Sequence, residues 1–258
     1  MNILEEIVER KKKEIELNKK EVPISTLVGM PYFGEECYPF VSFIKDPMRS
    51  GIIAEFKRKS PSKGWINEKA NAERITRGYA SFGASALSVL TDYHFFGGSL
   101  EDLKQARWNG IPILRKDFII DEYQILETKA WGADVLLLIA ACLTKREIKD
   151  FSHTAKNLGL SVFLELHSEE ELENICDEVD AIGINNRNLK TFEVDLENSI
   201  RMAKQIPAKL KISESGIDSM DTIRMLRKEG FNGFLIGERF MKEKFPAISF
   251  KEFLRDKK

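Results

Sequence analysis

The stretch Gly51-Ile52-Ile53-Ala54-Glu55-Phe56-Lys57 decides the fold. It is apolar at consecutive positions, not alternate ones, the pattern of a parallel strand covered on both faces. Yet it encloses a carboxylate and closes on an ammonium. Ile53, Glu55 and Lys57 share parity, so their side chains leave the strand on one face. Working outward, seven more short apolar runs follow, at 86–90, 111–114, 135–139, 162–166, 181–184, 210–212 and 233–236. Amphipathic helical patterns lie between them, for example at 73–82, 123–131, 144–158, 168–176 and 220–229. Eight βα units in about 200 residues favour a closed (β/α)8 TIM barrel over an open doubly wound sheet. No GxGxxG follows the first run, which weakens a dinucleotide-binding reading.

The first 45 residues read differently. Ile3, Leu4, Ile7 and Val8 recur at helical spacing ahead of a charged stretch from Glu9 to Lys20. Pro23, Pro31, Gly34 and Pro39 then interrupt regular structure. An apolar stripe has no use on a free tail, so residues 1–45 are expected to form a helical extension packed on the barrel. Residues 46–258 then form the catalytic barrel domain.

Composition narrows the function. The 258 residues are 43% hydrophobic and 31% charged, with a formal net charge of −1. No basic field exists to attract nucleic acid. The longest apolar run, residues 135–143, is too short to span a bilayer, and the N-terminus lacks a signal-peptide core. Cys37, Cys142 and Cys176 are odd in number and widely spaced. With His94, His153 and His167 equally scattered, neither a disulfide framework nor a metal site is expected, and a reducing cytoplasm fits.

In a barrel, the residues just past the C-terminal ends of the strands meet around one mouth. Here they are Glu55 and Lys57, Ser60, Arg115-Lys116-Asp117, Glu165, Asn185 and Arg187, Glu214-Ser215-Gly216 and Gly237-Glu238. Charges set against apolar strands are costly unless they find partners or serve chemistry. Glu165, enclosed by Phe163, Leu164 and Leu166, is expected to have a raised pKa suited to proton transfer. Burial and the neighbouring Lys57 are expected to lower the pKa of Lys116, giving an acid or a Schiff-base nucleophile. Ser215, Gly216 and Gly237, after the seventh and eighth strands, suit phosphate. Phe95, Phe96, Phe118 and Trp65 are candidates for an aromatic wall. Structural ion pairs, βα turns and loop packing are the plainer explanations of the same residues.

These stretches resemble the indole-3-glycerol phosphate synthase family. The resemblance rests on Ile53 to Gly64, Ser88 to Asp92 with Phe96 to Ser99, Leu114 to Phe118, Gly132 to Asp134 with Leu137 to Ala140, Leu164 to His167, Gly183 to Leu189, and Ser213 to Ile217. Seven motifs occur in the family's order across residues 51–241. The resemblance implies the substrate 1-(2-carboxyphenylamino)-1-deoxyribulose 5-phosphate and the products indole-3-glycerol phosphate, CO2 and water, with no cofactor and no metal. It implies Lys116 as the acid for ring closure, Glu165 and Glu55 for dehydration, and Asn185 as an orienting group. Lys57, Ser215, Gly216 and Gly237 match the family's phosphate contacts. Arg187 and Ser60 match residues near substrate anions, and Phe96 and Phe118 its ring pocket. A monomer without a fused pathway enzyme, acting on a small phosphorylated substrate, is expected.

Two positions depart from the family pattern. Glu238 stands where many relatives carry a small residue, so its carboxylate should turn away and leave only its backbone N–H for phosphate. Asp92 stands where relatives often carry glutamate. Two rivals remain open from the residues alone. One is another phosphate-binding barrel using Lys116 as a Schiff-base former. The other is a catalytically silent barrel, against which the kept set Glu55, Lys57, Lys116, Glu165 and Asn185 argues.

Overall fold

A computed structural model describes residues 3–187, 193–207 and 209–255. Asn188 and Leu189, the end of one matched motif, lie outside the described residues. Eight parallel strands close a barrel: β1 (Ile52–Phe56), β2 (Ala86–Leu90), β3 (Ile113–Lys116), β4 (Val135–Ile139), β5 (Ser161–Leu166), β6 (Ala181–Asn185), β7 (Leu210–Glu214) and β8 (Gly233–Ile236). Each pairs with the next, and β8 pairs with β1 through Ile52↔Phe234, Ile53↔Leu235 and Ala54↔Ile236.

The consecutive apolar positions divide between two cores. Ile52, Ala54, Phe56, Leu136, Leu138, Val162, Leu164, Ile182 and Ile184 face the surrounding helices. Ile53, Leu114, Leu137, Phe163, Ala181, Ile212 and Leu235 fill the barrel interior. Each large apolar side chain so buried contributes on the order of 1.5–3 kcal/mol. Glu55, Lys116, Glu165, Asn185 and Glu214 share parity with interior residues of their own strands, so the barrel carries them inward at its C-terminal end. Arg115 has the opposite parity. It is buried on the helix side, where it donates to Asp117 at 3.0 Å and Glu127 at 2.7 Å.

Helices α4 (Ala72–Ser81), α5 (Tyr93–Phe96), α6 (Leu100–Ala106), α7 (Glu122–Ala130), α8 (Lys145–Asn157), α9 (Leu196–Gln205), α10 (Met220–Lys228), α11 (Glu238–Met241) and α12 (Pro246–Arg255) lie between or after the strands. Most starts are set by capping side chains. Asn71, Asp121, Asp195 and Ser219 each accept a backbone N–H in the first turn, and Thr144 forms a reciprocal capping box with Glu147. The segment after β5 is the exception. Instead of the α-helix its pattern suggests, Glu169–Asn174 is a 3-10 turn. It buries none of its residues and has no side-chain cap, and four glutamates repel one another within it.

Ahead of the barrel lie α1 (Ile3–Glu21), α2 (Ile24–Val28) and α3 (Phe40–Lys45). Helix α1 runs straight through the lysine-rich stretch. Ile7, Lys11 and Ile15 form its buried stripe. Lys11 is 1% exposed, and its Nζ lies 3.0 Å from Asp92 Oδ2, 3.0 Å from Asp117 Oδ1 and 2.9 Å from Glu14 Oε1. Asp92 lies two residues past β2 and Asp117 directly follows β3, so the clamp fastens α1 beside the mouth. Helix α3 sits at the other end. Phe40 and Ile44 join the interior core, with the Phe40 ring 6.3 Å from that of Phe163. The N–H of Tyr38 donates to Asp134 Oδ1 at 2.8 Å, just before β4 begins. The extension therefore runs from the mouth to the base. No helix among the described residues is long and apolar enough to cross a membrane.

Candidate active site

The C-terminal ends of the strands enclose a cavity of about 370 Å3. Thirteen of the residues singled out above line it: Glu55, Lys57, Ser60, Phe96, Lys116, Phe118, Glu165, Asn185, Arg187, Ser215, Gly216, Gly237 and Glu238. Ile3, Leu4 and Ile7 of α1 complete one apolar wall, while Arg239 and Lys242 add cations at the rim.

Strand register builds the polar floor. Asn185 pairs with Glu214 and Glu165 with Gly183, which brings β5, β6 and β7 level at their ends. Lys116 donates to Glu165 and, at 2.8 Å, to Glu214 Oε2. Asn185 Nδ2 donates to Glu165 Oε1 at 2.8 Å, and its Oδ1 accepts from Ser215 Oγ at 2.9 Å. On the far side, Lys57 Nζ lies 2.7 Å from Glu55 Oε1. Gly237 is there because Glu55 is: a Cβ at position 237 would stand 2.8 Å from Glu55 Cβ. Ser215 and Gly216 both adopt positive φ, 69° and 71°. For serine that conformation is uncommon and costs on the order of 1–3 kcal/mol, and such outliers gather where a site needs a particular backbone shape.

The electrostatics reverse two expectations. Burial works against the charge on Lys116, but Glu165 and Glu214 outweigh it and raise its pKa instead of lowering it. Burial likewise favours a neutral Glu165, yet Lys116 and His167 hold its pKa well below the usual carboxylate range. The raised carboxyl is Glu214, pushed up to about 7 by burial and by the neighbouring Glu165 charge, with Lys116 opposing. One ammonium serves two carboxylates, and the second binds its proton up to near neutrality.

Other expectations are corrected by geometry. Phe96 and Phe118 stand together, with ring centroids 6.0 Å apart. Phe95 is instead buried and stacks edge-on against His94, while half-exposed Trp65 packs over Lys59; neither lines the cavity. Glu238 does not turn away from the mouth: its Oε2 lies 3.8 Å from Arg187 Nη2, so the departure from the family pattern meets a cation.

Glu214 and His167 also line the cavity and were given no role from the sequence. Glu214 ends β7 with the parity of Leu210 and Ile212, the same signal that marks Glu55. His167 follows Leu166 with the parity of Glu165, and its Nε2 lies 3.1 Å from Glu165 Oε1.

Fold and site together define a (β/α)8-barrel enzyme whose acid and base groups stand on the strand ends. Among solved structures the fold is shared with a tryptophan synthase α-subunit variant from Pyrococcus furiosus (TM-score 0.60, 16% identity, 80% of this chain and 96% of that one). It is shared equally with a thiamine phosphate pyrophosphorylase from Pyrococcus furiosus (TM-score 0.58, 16% identity, 79% and 93%). At such identities the likeness speaks for the fold alone. The indole-3-glycerol phosphate synthase family model matches residues 4–253. Curated relatives of that name include one from Bacteroides thetaiotaomicron, 49% identical over 98% of both chains. Another, from Acinetobacter baumannii, is 41% identical over 96% of this chain and 94% of its own. The chain belongs to the indole-3-glycerol phosphate synthase family, the decarboxylating lyases that close the indole ring in tryptophan biosynthesis.

Proposed function

We propose that this chain converts 1-(2-carboxyphenylamino)-1-deoxyribulose 5-phosphate to indole-3-glycerol phosphate, with Lys116 as the acid for ring closure. The observation that carries the reading is the Lys116 ammonium, held inside the mouth between Glu165 and Glu214. When a ring carbon attacks the ketone, charge develops on its oxygen. A fixed ammonium stabilises that charge and then protonates it. A raised pKa is no obstacle, because an alkoxide is far more basic than an amine. It does disfavour a Schiff base, since a lysine kept protonated is no nucleophile.

After CO2 leaves, dehydration needs an acid at the departing hydroxyl and a base at a ring proton. Glu165 and Glu55 supply these two functions, with Asn185 fixing the orientation of Glu165. Lys57, Ser215, Gly216 and Gly237 take the phosphate, and Arg187 and Ser60 the remaining anionic side. Phe96 and Phe118 hold the aromatic ring. In this reading the extension, residues 1–45, completes the mouth while residues 46–258 carry the chemistry. The enzyme works as a cytoplasmic monomer without cofactor, metal, nucleic acid or membrane; the near-neutral net charge speaks against a nucleic-acid partner. The test is direct: supply the substrate and follow indole fluorescence. Absence of product at every pH overturns the function, and sedimentation as a dimer overturns the monomer.

A further inference from the structure

The reaction proposed above, on which this inference rests, consumes one proton per turnover. The substrate carboxylate leaves as neutral CO2, its electron pair returning to the ring. The former ketone oxygen takes two protons and departs as water, while the ring carbon gives up one. The balance comes from solvent, yet Glu165 is buried beneath the mouth.

One route out is visible. The His167 side chain is 9% exposed and lines the cavity. Its Nε2 lies 3.1 Å from Glu165 Oε1, and its Nδ1 lies 4.0 Å from Oε2 of Glu171, on the 3-10 turn that follows. Glu171 reaches solvent, with its side chain 17% exposed, and is anchored by the backbone N–H of His167 at 2.6 Å. Neither ring nitrogen has an aligned hydrogen bond. The ring is thus flanked by carboxylates on both sides but latched to neither. The charged groups around it are Glu165 and Glu171, then Glu214 and Lys116 across the floor, with the Cys142 thiol nearby. Burial opposes charge on the imidazole, but these carboxylates outweigh it and raise its pKa.

We infer that His167 is a proton-transfer residue that reloads Glu165 from the surface through Glu171. Once Lys116 has given its proton to the former ketone oxygen, the ammonium that kept Glu165 ionised is gone, and the imidazolium passes its Nε2 proton to Glu165 Oε1. A half-turn of the ring then presents the bare nitrogen to Glu171, which supplies a proton taken from water. Glu165 is thereby restored as the acid for the departing hydroxyl.

The test compares wild type, H167A and E171Q by steady-state indole fluorescence at saturating substrate, with and without added imidazole. Wild-type turnover separates this inference from the function itself: if wild type makes no product, the function fails before the relay is in question. With wild type active, H167A should lose about tenfold or more in kcat, at little changed KM. Imidazole should restore H167A and leave wild type unaffected. E171Q, at a partly exposed position where folding is not at stake, should be slow in dilute buffer and recover as buffer concentration rises. Wild-type kcat in H167A, a loss that imidazole does not relieve in a folded H167A, or wild-type kcat for E171Q in dilute buffer overturns the inference.

Discussion

Lys11, buried on α1, holds Asp117 at 3.0 Å, and Asp117 is the residue next to Lys116 in the chain. A helix outside the barrel is thus tied to the end of β3, the strand that carries the candidate acid. Asp117 remains ionised against the pull of burial because Lys11 and Arg115 hold its pKa far below the usual range. K11M should destabilise the fold by about 3–5 kcal/mol, since two buried carboxylates lose their shared cation. Urea denaturation measures this, and adding D92N should recover part of the loss. KM should rise as well, because Ile3, Leu4 and Ile7 line the cavity from the same helix.

K116M should cut kcat on the order of 10²–10⁴, typical of losing a general acid. Inorganic phosphate binding, followed by titration calorimetry, should stay close to wild type. Near-normal turnover would transfer the acid role to Lys57.

Glu214 gives stability a pH dependence. Its carboxyl titrates at about 7 in the folded chain against an ordinary value of 4.5, so the folded state holds that proton more tightly. The contribution is fully present below the unfolded pKa and is lost as pH rises through the folded one. Glu165 and Asp117, with lowered values, act in the opposite sense and at lower pH, losing their contribution as pH falls. Comparison with E214Q isolates Glu214. From pH 5 to pH 8, wild type should lose on the order of 1–3 kcal/mol relative to the variant. An equal change in unfolding free energy between the two pH values for wild type and E214Q, measured by urea denaturation, would contradict the assignment.

Gly237 has φ −128°, which any residue adopts, so its glycine is required by space and not by backbone freedom. G237A sets a methyl 2.8 Å from Glu55 Cβ and 2.9 Å from its Cδ. Overpacking of this kind costs about 1–3 kcal/mol. The melting temperature should drop a few degrees, while kcat falls further than stability explains because Glu55 is displaced. A kcat unchanged from wild type would remove Glu55 from the chemistry.

The strands were legible because burial on both faces leaves consecutive apolar residues, and parity then reports which charges point inward. That argument alone reaches Glu55, Lys116 and Glu165. It reaches Glu214 too, which was noted at its strand end but given no role. The partners of those charges are another matter. Lys116 meets Glu214 across 98 positions of sequence, a distance no local pattern spans. Reading burial without the partners inverted the pKa shifts of Lys116 and Glu165. Lys11 is hidden for a different reason: beside Lys12 and Lys13 it resembles any solvated lysine, and only its spacing from Ile7 and Ile15 sets it apart. The 3-10 turn after β5 escaped because its apolar spacing is helical while its glutamates repel.

The extension is anchored at both poles of the barrel, by Lys11 at the mouth and by Phe40 at the base. In mechanical terms it is a tie rod. A pull on the N-terminus loads the Lys11 clamp before it reaches any strand, so α1 should peel away as a separate, early force peak while Phe40 still plugs the base.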